Sequence, residues 1–205
     1  MEKCHKGKNP DEKIERVFKV ISFDLAPLHL AVRGEKISST KVKPLIYELI
    51  SFESKKIDRT FLERLCSYLD TIDFSVYDLV LIEGQMAYMG FRKGMSPGNS
   101  KIQHFFEAYF LIKYPKLATE IVSASSKYPD FLRGKKATDY QRKKWGVERV
   151  RKLFEFREDL KSLEILDDAQ TRKKADDLAD TVLLIFAFFR KKNPTNYLFE
   201  DIFKI

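Results

Sequence analysis

Arg172-Lys173-Lys174-Ala175-Asp176-Asp177-Leu178-Ala179-Asp180 runs straight into Thr181 to Phe189, a stretch that is almost wholly apolar. The pattern predicts a helix from Asp176 to about Lys192, stopped by Asn193-Pro194, with its carboxylates on the first turns. Asp177 and Asp180 fall on one helical face with Leu184 and Phe188, the face expected to point into the fold. Carboxylates crowded against a core repel one another unless a cation lies between them, and a divalent metal is the simplest such cation. The competing reading is capping: acids in a first turn complement the positive end of the helix dipole, worth roughly 0.3 to 1 kcal/mol.

Upstream, two apolar stretches also end on acids. Val17 to Phe23 runs to Asp24, and Tyr77 to Ile82 runs to Glu83; both read as buried strands. Open α/β sheets place their ligand sites at the carboxyl ends of strands. A C-terminal helix crossing those ends would complete a cluster of Asp24, Glu83, Asp177 and Asp180. Around them, Leu28 to Val32 reads as a strand before a turn at Arg33-Gly34, and Leu45 to Phe52 as another. Thr60 to Leu69 is an amphipathic helix, Met89 to Ser100 a loop, and Lys101 to about Lys113 a helix closed by Pro115. Glu120 to Ser123 offers a short strand, Lys127 to Ala137 is irregular, and Thr138 to about Phe156 is helical and basic. The order mixes hairpins with crossovers, giving an α/β fold: a mixed five-stranded sheet flanked by helices.

An all-carboxylate site suits magnesium, with manganese as substitute. Two such ions roughly 3.5 to 4 Å apart can activate water on one side of a phosphodiester and stabilise the leaving oxygen on the other, which is nuclease chemistry. Composition agrees. The 205 residues carry a net charge of +8, which calls for a polyanionic partner, nucleic acid or a membrane surface. No apolar run approaches the roughly 20 residues that span a bilayer, and the charged start is not signal-like, so a soluble, non-secreted protein is expected. Residues 1 to 15 read as a flexible leader and 16 to 205 as one domain. Cys4, Cys66, His5, His29 and His104 show no zinc-ligand spacing, and neither His29 nor His104 lies beside the final acidic motif. On the basic helix, Arg142, Lys143, Lys144, Arg149, Arg151 and Lys152 are either phosphate contacts or a solvated face, while Trp145 is expected to pack.

Ile21-Ser22-Phe23-Asp24, Leu79-Val80-Leu81-Ile82-Glu83-Gly84-Gln85, Arg142-Lys143-Lys144 and Lys173-Lys174-Ala175-Asp176-Asp177-Leu178-Ala179-Asp180 together resemble the successive motifs of the poxvirus-type Holliday junction resolvases. Those enzymes belong with RuvC and the fungal mitochondrial resolvases in the RNase H-like superfamily. The resemblance covers roughly residues 17 to 190. It implies an RNase H-like fold and a magnesium-dependent, structure-selective endonuclease holding two ions per site on Asp24, Glu83, Asp177 and Asp180. It implies that Lys143 or Lys144 attends the scissile phosphate, with Lys144 taken as catalytic, and that Arg142, Lys143, Lys144, Arg149, Lys173 and Lys174 contact DNA. It further implies a homodimer making paired nicks in four-way junctions, in recombination or in resolving viral replication concatemers in the host cytoplasm. The dimer surface is expected on the helix from Lys101, along His104, Phe105, Phe106, Tyr109 and Phe110, although a core face has the same pattern. Two departures stand out: Asp24 is followed by Leu25-Ala26-Pro27 where the family has a glycine and an asparagine, and Gly84 replaces an arginine. The rivals are an RNase H-like nuclease for RNA:DNA hybrids or flaps, and a non-catalytic nucleic-acid-binding protein whose acids are caps.

Overall fold

Alternation along the first strand decides how the molecule layers. In β1 (Phe18–Leu25), Val20 faces one core while Ile21 and Phe23 face another, as period-two side-chain placement requires. The computed structural model describes residues 17–38, 41–52, 56–84, 97–129, 132 and 137–192. Within them β1 is joined by β2 (His29–Ile37), β3 (Val42–Ser51), β4 (Leu79–Gly84) and β5 (Ala118–Ser123) in a sheet of order β3-β2-β1-β4-β5. The three N-terminal strands form antiparallel hairpins, whereas β4 and β5 run parallel to β1. The sheet is therefore mixed, as expected.

One face packs on α1 (Arg59–Leu69) and α2 (Pro97–Lys113) through Ile21, Phe23, Val32, Val80, Phe106 and Phe110. The other packs on α3 (Asp139–Phe156), α4 (Leu160–Thr171) and α5 (Ala175–Lys192) through Val20, Leu81, Phe154, Leu166 and Ile185. The central helix α5 is buried almost continuously from Leu178 to Ala187, which explains its apolar run. Ser22 donates a hydrogen bond to the Thr181 carbonyl at 2.9 Å and so fixes α5 across the middle of the sheet.

Several expectations need correcting. Arg33-Gly34 is not a turn: β2 continues through it to Ile37, with a register shift between Gly34 and Glu35. Gly34 is needed for close packing, since a Cβ there would stand 2.6 Å from the Tyr77 hydroxyl and 2.7 Å from Ile46. Helix α2 starts at Pro97 rather than Lys101, proline being well suited to a first helical position. Its aromatic stripe is largely core, with Phe106, Tyr109 and Phe110 buried, and its exposed apolar residues are Leu111 and Ile112. Helix α4 was not anticipated. The leader, Gln85, the Met86 to Phe91 segment and the tail after Lys192 lie outside the described residues.

Helix α4 is anchored by a buried ionic group. Arg33, wholly buried, donates to Glu35 at 3.0 Å, to the Ser162 hydroxyl at 2.7 Å and to Asp159 at 3.3 Å. Its guanidinium lies against the Tyr47 and Phe154 rings, 4.7 and 4.9 Å from their centroids. Asp159 simultaneously caps α4 by accepting from the Ser162 amide. Replacing Arg33 by Ala leaves two acids with less compensation in a dry site, a change that costs about 3 to 5 kcal/mol when a buried charge loses its partner. Urea unfolding of Arg33→Ala is expected to show that loss; a loss under about 1 kcal/mol would mean the group relaxes to water.

Candidate active site

Strand parity brings the acids together. Asp24 follows Val20 and Ser22 on β1, and Glu83 follows Leu79 and Leu81 on β4, so both project toward α5 at the carboxyl ends of parallel neighbours. Asp180 meets them from the first turns of α5. Carboxylate oxygens of Asp24, Glu83 and Asp180 lie within 4.8 Å of one another. Asp177 is not part of that group; its carboxylate pairs with Lys174 at 3.3 Å. Asp176 pairs with Lys143 at 2.7 Å.

A residue absent from the sequence reading completes the cluster. Lys127, at the end of the 3-10 turn Ala124–Lys127 that follows β5, is buried and donates to Glu83 at 2.9 Å and Asp180 at 2.5 Å. The Tyr128 hydroxyl donates to the other Asp180 oxygen at 3.3 Å. Because β5 runs parallel to β4, its exit falls at the same edge of the sheet as Asp24 and Glu83. A lysine just beyond a third parallel strand was the available signal; Ser123-Ala124-Ser125-Ser126-Lys127 conceals it as irregular polar sequence.

The electrostatics show a shortage of positive charge. Burial, then repulsion from Glu83, pushes the Asp24 carboxyl well up, and the hydrogen bond between the two carboxyls adds to the rise. Burial also works against an ionised Glu83, but the Lys127 charge and hydrogen bonds from Asp24 and Lys127 outweigh it and keep that carboxyl low. Asp180 is pushed up to about 6 by burial, against the pull of Lys127 and with the push of Glu83. Burial disfavours the Lys127 ammonium, yet Asp180, Glu83 and Asp24 hold its pKa well above the usual lysine value. One ammonium among three acids leaves the pocket able to accept a further cation, and its all-oxygen carboxylate donors fit a hard divalent ion.

The other predicted residues are dispersed. Lys144 is exposed and 3.8 Å from Glu148, so the structure does not bring it to the cluster. Lys143 is nearer, since its charge helps hold Glu83 low. Arg142 is committed to the Ala137 carbonyl at 2.8 Å. The Arg149 guanidinium lies over Trp145, which itself packs edge-on against Tyr128, so this pair is chiefly structural. His104 is exposed on α2 beside Glu107. His29, on the site's face of β2, has its pKa lowered by burial and by Lys174, with Asp177 opposing.

No protein-family model matches the sequence. Over 88 residues it is 35% identical to an uncharacterized protein, 97L, of Invertebrate iridescent virus 3, a match covering 43% of this chain; the chain spans only 40% of that relative's length. Among solved structures, the yeast mitochondrial Holliday junction resolvase is similar over 95% of this chain and 87% of its own, with a TM-score of 0.63 and 16% identity. The fowlpox virus resolvase, solved with Holliday junction DNA, is similar over 86% of this chain and 99% of its own, with a TM-score of 0.60 and 18% identity. The chain has the RNase H-like fold of these resolvases.

In this RNase H-like frame the acids sit where three segments of secondary structure converge, and their protonation governs what the pocket can hold. Protons compete with a cation for Asp24 and Asp180, so divalent-ion affinity should climb as pH rises through about 6. The stability sign is the reverse for the metal-free fold. A carboxyl whose folded pKa exceeds its unfolded value binds protons more tightly in the native state, so the metal-free fold loses stability as pH rises from about 4 through about 6. Magnesium should therefore raise the melting temperature at pH 7.5 and have little effect at pH 5, measured by thermal denaturation with and without the ion. Equal shifts at the two pH values would contradict this assignment.

Proposed function

We propose that this protein is a magnesium-dependent, structure-selective endonuclease that cuts four-way and branched DNA by phosphodiester hydrolysis. The observation that carries the reading is the convergence of Asp24, Glu83 and Asp180 around Lys127 at the strand ends of an RNase H-like sheet. The resolvases of yeast mitochondria and fowlpox virus supply the substrate class by their shared fold.

Asp24, Glu83 and Asp180 would hold the ion, with Asp177 joining from the preceding turn of α5 if a second ion is bound. The bound ions would supply Lewis acidity and lower the pKa of the attacking water. The chain's own residues do the rest. Lys127 orients Glu83 and Asp180 through its hydrogen bonds and contributes positive charge where the phosphoryl oxygens gain negative charge in the transition state. Tyr128 holds the second Asp180 oxygen, and Ser22 anchors the α5 backbone so that Asp180 stays over Asp24 and Glu83. Lys143, tied to Asp176, places a further ammonium beside the cluster.

Paired nicks across a symmetric junction need two sites, so the working form is a homodimer. The exposed Leu111 and Ile112 of α2 offer an apolar surface for it. No described helix is long and apolar enough to cross a membrane.

The test is Asp180→Asn on a labelled synthetic four-way junction with magnesium. Cleavage should fall to below roughly a hundredth of wild type, as loss of metal-site geometry does, while binding to the junction persists. Wild-type protein that never cuts with magnesium or manganese would leave a DNA-binding protein, and preferential cutting of an RNA:DNA hybrid would move the substrate.

A further inference from the structure

Lys127 is held at the acids more firmly than a long side chain on a turn needs to be. Only 3% exposed, it stands between two of them, donating to Glu83 Oε1 at 2.9 Å and to Asp180 Oδ2 at 2.5 Å. The chain on either side of it is tied down. Before it, Arg190 near the end of α5 donates to the Ser126 carbonyl at 2.8 Å, and the Ser126 hydroxyl donates to the Ser123 carbonyl at 2.6 Å. After it, the Tyr128 hydroxyl bonds the other Asp180 oxygen, and the Tyr128 ring packs edge-on against Trp145. Both ends of α5 thus grip the turn that carries the ammonium.

Charge and size then limit what else the pocket takes. One divalent ion together with this ammonium matches three carboxylates, whereas two ions would leave two positive charges uncompensated in a buried site. The three donor oxygens lie within 4.8 Å of one another, a span that a single hard ion fills with bonds of about 2.0 to 2.6 Å. Two ions roughly 3.5 to 4 Å apart need further donors. The other acids of α5 lie outside the group and already have cations, Asp177 from Lys174 at 3.3 Å and Asp176 from Lys143 at 2.7 Å.

We propose that Lys127 serves as a built-in second cation: its ammonium fills the place between Glu83 and Asp180 that a second divalent ion would take, so the substrate-free protein binds one such ion per chain. The proposal rests on the nuclease reading for the metal cluster itself, and sets the cofactor of the substrate-free protein at one ion rather than two.

The experiment counts manganese bound to the 205-residue chain at pH 7.5 from the free-ion signal in electron paramagnetic resonance, with melting temperatures alongside. Wild type should hold one ion, lost in Asp180→Asn, and Asp177→Asn should keep that count. Lys127→Met, similar in shape and without the charge, should bind a second ion and hold its first roughly tenfold more tightly, since a like charge beside the ion is gone. Two ions of similar affinity in wild type, a wild-type ion that persists in Asp180→Asn, an ion lost in Asp177→Asn, or an unchanged count in Lys127→Met would overturn the proposal. Should Lys127→Met fail to melt cooperatively, the wild-type and Asp177→Asn counts still decide it. Because no cleavage is read, the two claims fail separately: a wild-type count of two removes this inference and leaves the nuclease, while one ion bound by a protein that never cuts a junction does the reverse.

Discussion

Mutual repulsion among Asp24, Glu83 and Asp180 is the constraint around which the α5 side of this molecule is arranged. Their oxygens lie within 4.8 Å of one another at the edge of a buried sheet, where water screens charge poorly. Burial and proximity raise the Asp24 and Asp180 carboxyls, and the single ammonium of Lys127 only partly relieves them. A fold that keeps such a cluster must brace it. The bracing is visible in the Ser22 bond to α5, in the parallel pairing of β1, β4 and β5, and in the run of buried residues that fixes α5 across the sheet.

The remainder of that face supports the same helix. Helices α3 and α4 flank α5, and the Arg33, Glu35 and Asp159 group ties α4 to β2 from beneath. Charge is thus used in two ways on one side of the sheet. The Arg33 group is closed, with a cation provided for its acids by the chain itself. The Asp24 group is short of cations and open to an added one.

Features set by local pattern were legible in the sequence. The apolar runs of β1 and β4, each ending on an acid, and the apolar run of α5 made legible the positions of Asp24, Glu83 and Asp180 and the strand ends at which they meet. Features set by tertiary contact were not. Arg33-Gly34 reads as a turn because nothing local reveals that the arginine is buried inside a strand against the Tyr47 and Phe154 rings. Helix α4 was hidden by its many charges and by Glu158, whose positive φ separates it from α3; Asp159 as cap with Leu163, Leu166 and Ala169 was the usable sign. The lysine of the site was sought on the basic helix, but Lys127 reaches it from beyond β5, a placement that depends on β5 lying parallel to β4. Asp177, which shares a helix face with Asp180 by spacing, turns instead to Lys174.

The most direct measurement is anomalous diffraction from crystals of the protein soaked in manganese. The account predicts a manganese peak enclosed by Asp24, Glu83 and Asp180 and coordinated by their oxygens, lost in Asp24→Asn crystals. A map with no peak at that cluster, or a peak that survives the substitution with unchanged occupancy, would contradict it.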